Sequence, residues 1–226
     1  MRPSLLPLLL ATCQAVSCTD EPVARVAKAP AGAAQTVVRW AGDVRQGLAR
    51  IALPDGSVKE GPYARGLKEG TWVWRSATGD TLGTTAYAAG KLHGWSVERI
   101  KEVAVREALY AEGVANGPRI TRYADGHPAS LVWFIDGKEH GTAWRWNQRD
   151  TLNIGKRTVG QYVHGVAQGT WRRYYANGVL NVENDYVNGV RHGTSKLWGP
   201  DGTLLRHLEY RNDAVVRTFV DRLGTN

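Results

Sequence analysis

The chain has 226 residues, and Lys plus Arg exceed Asp plus Glu by 29 to 21, a net charge of +8. That balance favours acidic partners such as anionic lipid, an acidic protein or nucleic acid, although solubility alone also asks for a moderate net charge. Both cysteines, Cys13 and Cys18, stand near the start, which excludes a disulfide framework or thiolate chemistry from the rest of the chain.

Residues 1–18 open with Met1-Arg2, continue through an apolar stretch around Leu5 to Ala11, and end in small residues and Cys18. This is the pattern of a secretory signal, too short to span a membrane as a mature helix. Ala15-Val16-Ser17-Cys18 resembles a bacterial lipobox, in which Cys18 would be lipidated and become the new N-terminus. Leu10-Ala11-Thr12-Cys13 is the competing site, and an ordinary secretory signal is the plainer alternative. Residues 19–36 are rich in Ala, Pro and Val without periodicity, which predicts a disordered tether.

From Val37 the chain becomes self-similar. An aromatic residue, a Gly three positions on and a second Gly four further on recur as Tyr63-Gly66-Gly70, Tyr87-Gly90-Gly94, Tyr110-Gly113-Gly117, Phe134-Gly137-Gly141, Tyr162-Gly165-Gly169 and Tyr186-Gly189-Gly193. Worn copies begin at Trp40 and Tyr210. A fixed period of about 24 residues signals a repeat architecture. The 26 Gly fall mostly at these landmarks and so do not describe a flexible linker.

After each second Gly comes a β-prone run, such as Thr71-Trp72-Val73-Trp74-Arg75 or Thr170-Trp171-Arg172-Arg173-Tyr174. Asp55-Gly56, Asp125-Gly126, Asn177-Gly178 and Asp201-Gly202 then supply hairpin turns. Each unit reads as one β-hairpin, with the Gly-x-x-x-Gly segment turning the chain into the next. The expected fold is all-β: an elongated single-layer antiparallel β-hairpin meander of about seven units over residues 37–220, followed by a tail at 221–226. Seven hairpins would span roughly 65 Å at the usual strand spacing. Val103 replaces the turn glycine of the third hairpin; in the fifth, Asp150 does so and extra residues follow, with Thr151 to Gln161 reading as a lengthened strand pair or a binding loop.

Alternation along the strands puts two columns on one face of the sheet. Five residues past each second Gly stand Arg75, Arg99, Arg122, Trp146, Tyr174 and Trp198; three past stand Val73, Val97, Ile120, Trp144, Arg172 and Lys196. Arg75, Arg99, Arg122, Trp144, Trp146, Arg172, Tyr174, Lys196 and Trp198 are the candidate binding residues, because Trp, Tyr and Arg dominate interface energetics. The plainer reading is that the aromatics shield a thin sheet while the arginines stack on them or pair with acids such as Glu183 and Glu209.

His93, His140 and His192 share the position before the second Gly. They lie two hairpins apart, ~19 Å at the usual strand spacing, whereas Zn–N bonds are ~2.1 Å, so they read as turn residues. No nucleophile elbow, phosphate-cradling loop or paired-carboxylate cluster is present in the sequence. No catalytic residue, metal ligand or cofactor is expected.

Tyr186-Val187-Asn188-Gly189-Val190-Arg191-His192-Gly193, together with Gly165 to Tyr175 and Ala89 to Trp95, resembles the MORN repeat family in its bacterial variant. The resemblance covers about Trp40 to Arg217. It implies a β-hairpin array that binds protein or lipid without catalysis, and it extends to proteins described as YwqK-type antitoxins. The expectation is an exported, lipid-anchored binding or scaffold module that meets a partner protein at the cell envelope. The alternatives are an antitoxin or immunity protein that neutralises one toxin, and a direct binder of anionic lipid. The export signal argues against nucleic acid, and no small-molecule substrate is expected.

Overall fold

The computed structural model describes residues 23–27, 36–147 and 157–224. The expected signal segment with Cys13 and Cys18, and the stretch 151–156, lie outside them. The strands are β1 (Val23–Ala27), β2 (Thr36–Ala41), β3 (Val44–Ala52), β4 (Val58–Ala64), β5 (Leu67–Lys68), β6 (Gly70–Arg75), β7 (Thr81–Ala88), β8 (Lys91–Ile100) and β9 (Val103–Ala111). They continue with β10 (Val114–Arg122), β11 (Pro128–Ile135), β12 (Lys138–Trp146), β13 (Arg157–Val163), β14 (Val166–Tyr174), β15 (Leu180–Val187), β16 (Val190–Trp198), β17 (Leu204–Arg211) and β18 (Ala214–Asp221). Each pairs antiparallel with its neighbour in sequence, β5 and β6 together forming one rung beside β4, so the whole is one open meander. The all-β hairpin meander expected from the repeat is what forms.

Two turn types alternate along the sheet, each dictated by its residues. On one margin the residue before the first Gly and that Gly make a two-residue turn, as at Asn188 and Gly189, with φ of 51° and 83°. Two left-handed residues match the twist of the flanking strands. Each of these turns is tied to the previous hairpin, for example by Gly189 N–H donating to Ala167 O at 2.9 Å and Gly90 N–H to Lys68 O at 2.9 Å. On the other margin the Asp-Gly and Asn-Gly pairs close three-residue loops. In one, Gly56 N–H donates to Leu53 O at 3.0 Å while Leu53 N–H donates to Ser57 O at 2.8 Å. Asp55 Oδ1 also accepts from Ser57 N–H at 2.9 Å, the side-chain bond that makes Asp a turn residue.

Several expectations about the units need correction. The Gly-x-x-x-Gly segment is not a turn throughout, because its second glycine lies inside a strand. Gly193 sits within β16 at φ 105°, where the register with β15 slips. A glycine there lets the strand bulge without a Cβ penalty. The third hairpin closes through Lys101 and Glu102 as a two-residue turn, Ile100 pairing with Val103, so Val103 has no turn to make. In the inserted stretch, Arg157 onward is β13, paired with β12 without a register shift. The tether assigned to residues 19–36 contains β1, whose five residues pair with Thr36 to Trp40.

Packing is concentrated on one face. There Trp72 lies over Gly61, whose added Cβ would stand 2.4 Å from the indole. Tyr63 and Tyr87 meet the same indole edge-on, at centroid distances of 5.1 and 6.5 Å. Trp171 repeats the arrangement over Gly160 between Tyr162 and Tyr186, at 5.0 and 6.4 Å. Ala49, Tyr63 and Trp72 form one buried cluster; Val132, Phe134 and Ala143 form another. A large ring opposite a residue without a side chain lets a single-layer sheet bury an indole on its own surface.

Candidate binding face

The face opposite the buried tryptophans carries the residues singled out from the sequence. One row crosses nearly the whole sheet by direct pairing: Glu60, Val73, Thr84, Val97, Glu107, Ile120, Leu131, Trp144, Val159, Arg172, Glu183, Lys196 and His207. The structure thus brings Trp144, Arg172 and Lys196 into line. Nearer the Asp-Gly margin, Arg75 stands opposite Thr81, Arg99 opposite Ala104, Arg122 opposite Pro128 and Trp198 opposite Leu204. Trp146, Arg157 and Tyr174 sit side by side on β12, β13 and β14. The nine candidates therefore share a face in two neighbouring rows, spread over the sheet and not gathered at one point.

Their charges are largely spoken for. Arg75 Nε lies 3.4 Å from Glu60, Arg122 pairs with Glu107, Arg172 Nε donates to Glu183 at 2.8 Å, and Lys196 Nζ lies 3.9 Å from the same carboxylate. Arg99 donates to Glu102 O at 3.3 Å. Glu183 takes up arginine as the sequence suggested, whereas Glu209 stands opposite Thr194 and Arg217. These pairs are exposed or half-exposed, so each contributes at most about 1 kcal/mol and serves mainly to neutralise the row. The aromatic part is continuous: Trp144 and Trp146 stack at 6.2 Å with planes 17° apart, and the Arg157 guanidinium lies 5.6 Å from the Trp144 ring and 4.5 Å from Tyr174.

Two features of the face were missed from the sequence. The position one past each second Gly shares the same parity, and it holds Leu48 and Trp95. Trp95 stands opposite Leu109, and Trp133 opposite Pro118. Leu48 is 66% exposed, Trp95 43% and Trp133 49%. Extending the alternation by one more step would have found Leu48 and Trp95. Trp133 and Arg157 lie on the intervening strands, which the motif landmarks do not number.

The position before the second Gly also does more than the sequence suggested. Its side chain reaches the turn of the next hairpin: Gln46 accepts from Arg65 N–H at 2.9 Å, Glu69 from Ala89 N–H at 2.9 Å and Gln168 from Asn188 N–H at 2.7 Å. His140 Nδ1 accepts from His164 N–H at 3.5 Å, with the two imidazoles 5.0 Å apart, and His192 Nδ1 lies 3.4 Å from Asn212 Oδ1. The residues there are inter-hairpin staples: Gln46, Glu69, Gln168 and His140 accept from a backbone N–H, whereas His192 Nδ1 faces an acceptor oxygen and donates to it.

Residues 167–188 match the family model described as MORN repeat variant. The matched segment includes Gly169, the Asn177-Gly178 turn and Tyr186, and it supports a MORN-repeat family. Repeats of this family are generally associated with binding or scaffold roles, and they are typically non-catalytic. No curated protein matches the chain.

Proposed function

We propose that this protein is a non-catalytic binding module of the cell envelope that presents the open face of its sheet to a partner protein. The signal-like segment 1–18 would export it, and Cys18, or Cys13 in its place, would anchor it through lipid. One observation carries the reading: Leu48, Trp95 and Trp133 stand exposed on the face that also holds the arginine and tryptophan rows. Trp and Arg are the residue types that contribute most at protein interfaces, and here both stand on one exposed face. The pairing of Arg75, Arg122 and Arg172 with glutamates favours a protein over a polyanion, because a neutralised row offers little net field to anionic lipid.

The test is capture from an envelope extract by the immobilised protein at low and high salt, read by mass spectrometry. One stoichiometric protein that survives high salt supports the proposal, and its identity separates a scaffold from an antitoxin of the YwqK type. Retention of lipid or polyanion alone, lost as salt screens the charges, overturns it.

A further inference from the structure

Where the three-residue loop after Arg122 and the Asn177-Gly178 loop flank the ends of β12 and β13, the Asp-Gly margin holds a groove of about 440 Å³. Its walls include Tyr123, Pro128, Trp146, Arg157, Tyr174 and Tyr175. The geometry points to this groove as the receptor for an acidic, proline-containing segment of a partner protein. A carboxylate would meet Arg157, and the proline rings would lie against Trp146 and Tyr174.

Three observations select that chemistry. First, no carboxylate of the described residues pairs with Arg157, whereas Arg75, Arg122, Arg172 and Lys196 of the same face each meet a glutamate. Its guanidinium is instead held between the Trp144 and Tyr174 rings. A planar guanidinium stacked in this way keeps its edge N–H groups for a carboxylate, to which it donates two parallel bonds. The other cation-capable group, His127, has its Nδ1 3.1 Å from Asp125.

Second, two of the three tyrosine hydroxyls of the walls are committed elsewhere. Tyr123 O–H donates to Trp146 O at 2.7 Å, and Tyr175 O–H donates to Trp198 O at 2.8 Å. The groove therefore presents ring faces with few free hydrogen-bonding groups. A polyhydroxyl sugar would leave many of its own groups unpaired there, at the cost of their desolvation. A proline-rich segment has no N–H at each Pro, is preordered in the polyproline II conformation, and docks on aromatic walls.

Third, Trp146, Arg157 and Tyr174 are direct neighbours on three paired strands. The site is thus built on rigid sheet, with its rings and its cation fixed relative to one another. It rests on the proposed function, whose partner it describes in part.

The experiment is fluorescence anisotropy of the full chain with a fluorescein-labelled peptide of four Glu-Pro repeats and its Gln-Pro counterpart. The Glu-Pro peptide is expected to bind at least tenfold more tightly. Arg157→Gln should remove that difference. Arg157→Lys, which keeps the charge but not the stacked plane, should fall between, and an unchanged melting curve for it shows the fold intact. Arg206→Gln, a cation paired with Asp221 on the opposite face, should change nothing. Equal binding of the two peptides, no binding of either, or an Arg157→Gln variant that behaves as wild type overturns the inference. Binding of trigalacturonate in place of the peptides overturns it in favour of an acidic glycan. Capture of a partner that persists in Arg157→Gln while both peptides fail sinks this site and leaves the proposed function standing.

Discussion

Trp72 and Trp133 are the same residue type on the two faces of one sheet, and they do different work. Trp72 is 4% exposed, lying over Gly61 and donating from Nε1 to Pro62 O at 3.0 Å. Trp133 is 49% exposed, although Val132 and Phe134 on either side of it are buried. Among the described residues the sheet has no second layer, so it makes its own core from one face by removing side chains opposite its largest rings. What remains on the other face contributes less to stability. The comparison therefore separates residues that hold the array together from residues available to a partner.

The largest test of that separation is a pair of truncations. Trp72→Ala should cost about 3–5 kcal/mol, the range for a buried large aromatic, whereas Trp133→Ala should cost about 2 kcal/mol for the half of its surface that is covered. Urea unfolding of both variants measures the difference, and equal losses would erase the distinction between the faces. Next in size is Gly160→Ala, whose new Cβ would fall 2.0 Å from the Trp171 ring. Displacing that indole should cost about 1–3 kcal/mol, again by urea unfolding.

Much of this was legible in the sequence, for identifiable reasons. The aromatic and glycine landmarks set the meander, and parity alone set the shared face of Arg75 and Trp146. Parity could not say that Gly61 and Gly160 make room for indoles, because that depends on which residue stands directly across the ladder. Nor could it say that Glu60, Glu107 and Glu183 neutralise the arginine row, since those acids lie on intervening strands. Glycine spacing also could not distinguish a turn from an in-strand bulge, as Gly193 shows, because both need a positive φ.

Two smaller effects bear on stability outside the glycine-backed face, one in a turn and one on the open face. Ala89 occupies a left-handed turn position at φ 47°, where the same position elsewhere holds Asn188. Ala89→Gly should stabilise by about 0.5–1 kcal/mol, from relieving about 1–2 kcal/mol of left-handed strain at some cost in chain entropy. A rise in melting temperature checks it. The smallest effect is titration of Asp185. Burial pushes its carboxyl up, but hydrogen bonds from Thr170 and Thr194 outweigh this and hold it below the usual carboxylate range. A depressed folded pKa means the contribution is present above the ordinary Asp range and is lost as pH falls through the folded value. Wild type should therefore be more stable than Asp185→Asn near pH 7, with the gap narrowing in acid; a gap independent of pH would contradict this assignment.

The central claim is that the open face binds while the glycine-backed face stabilises. Its most direct test is capture from envelope extract with wild type and with the Trp95→Ala/Trp133→Ala double variant side by side, after a melting curve shows that the variant is folded. The account predicts a protein retained by wild type at high salt and lost from the folded variant. Equal retention by both, or no retained protein with wild type, would contradict it.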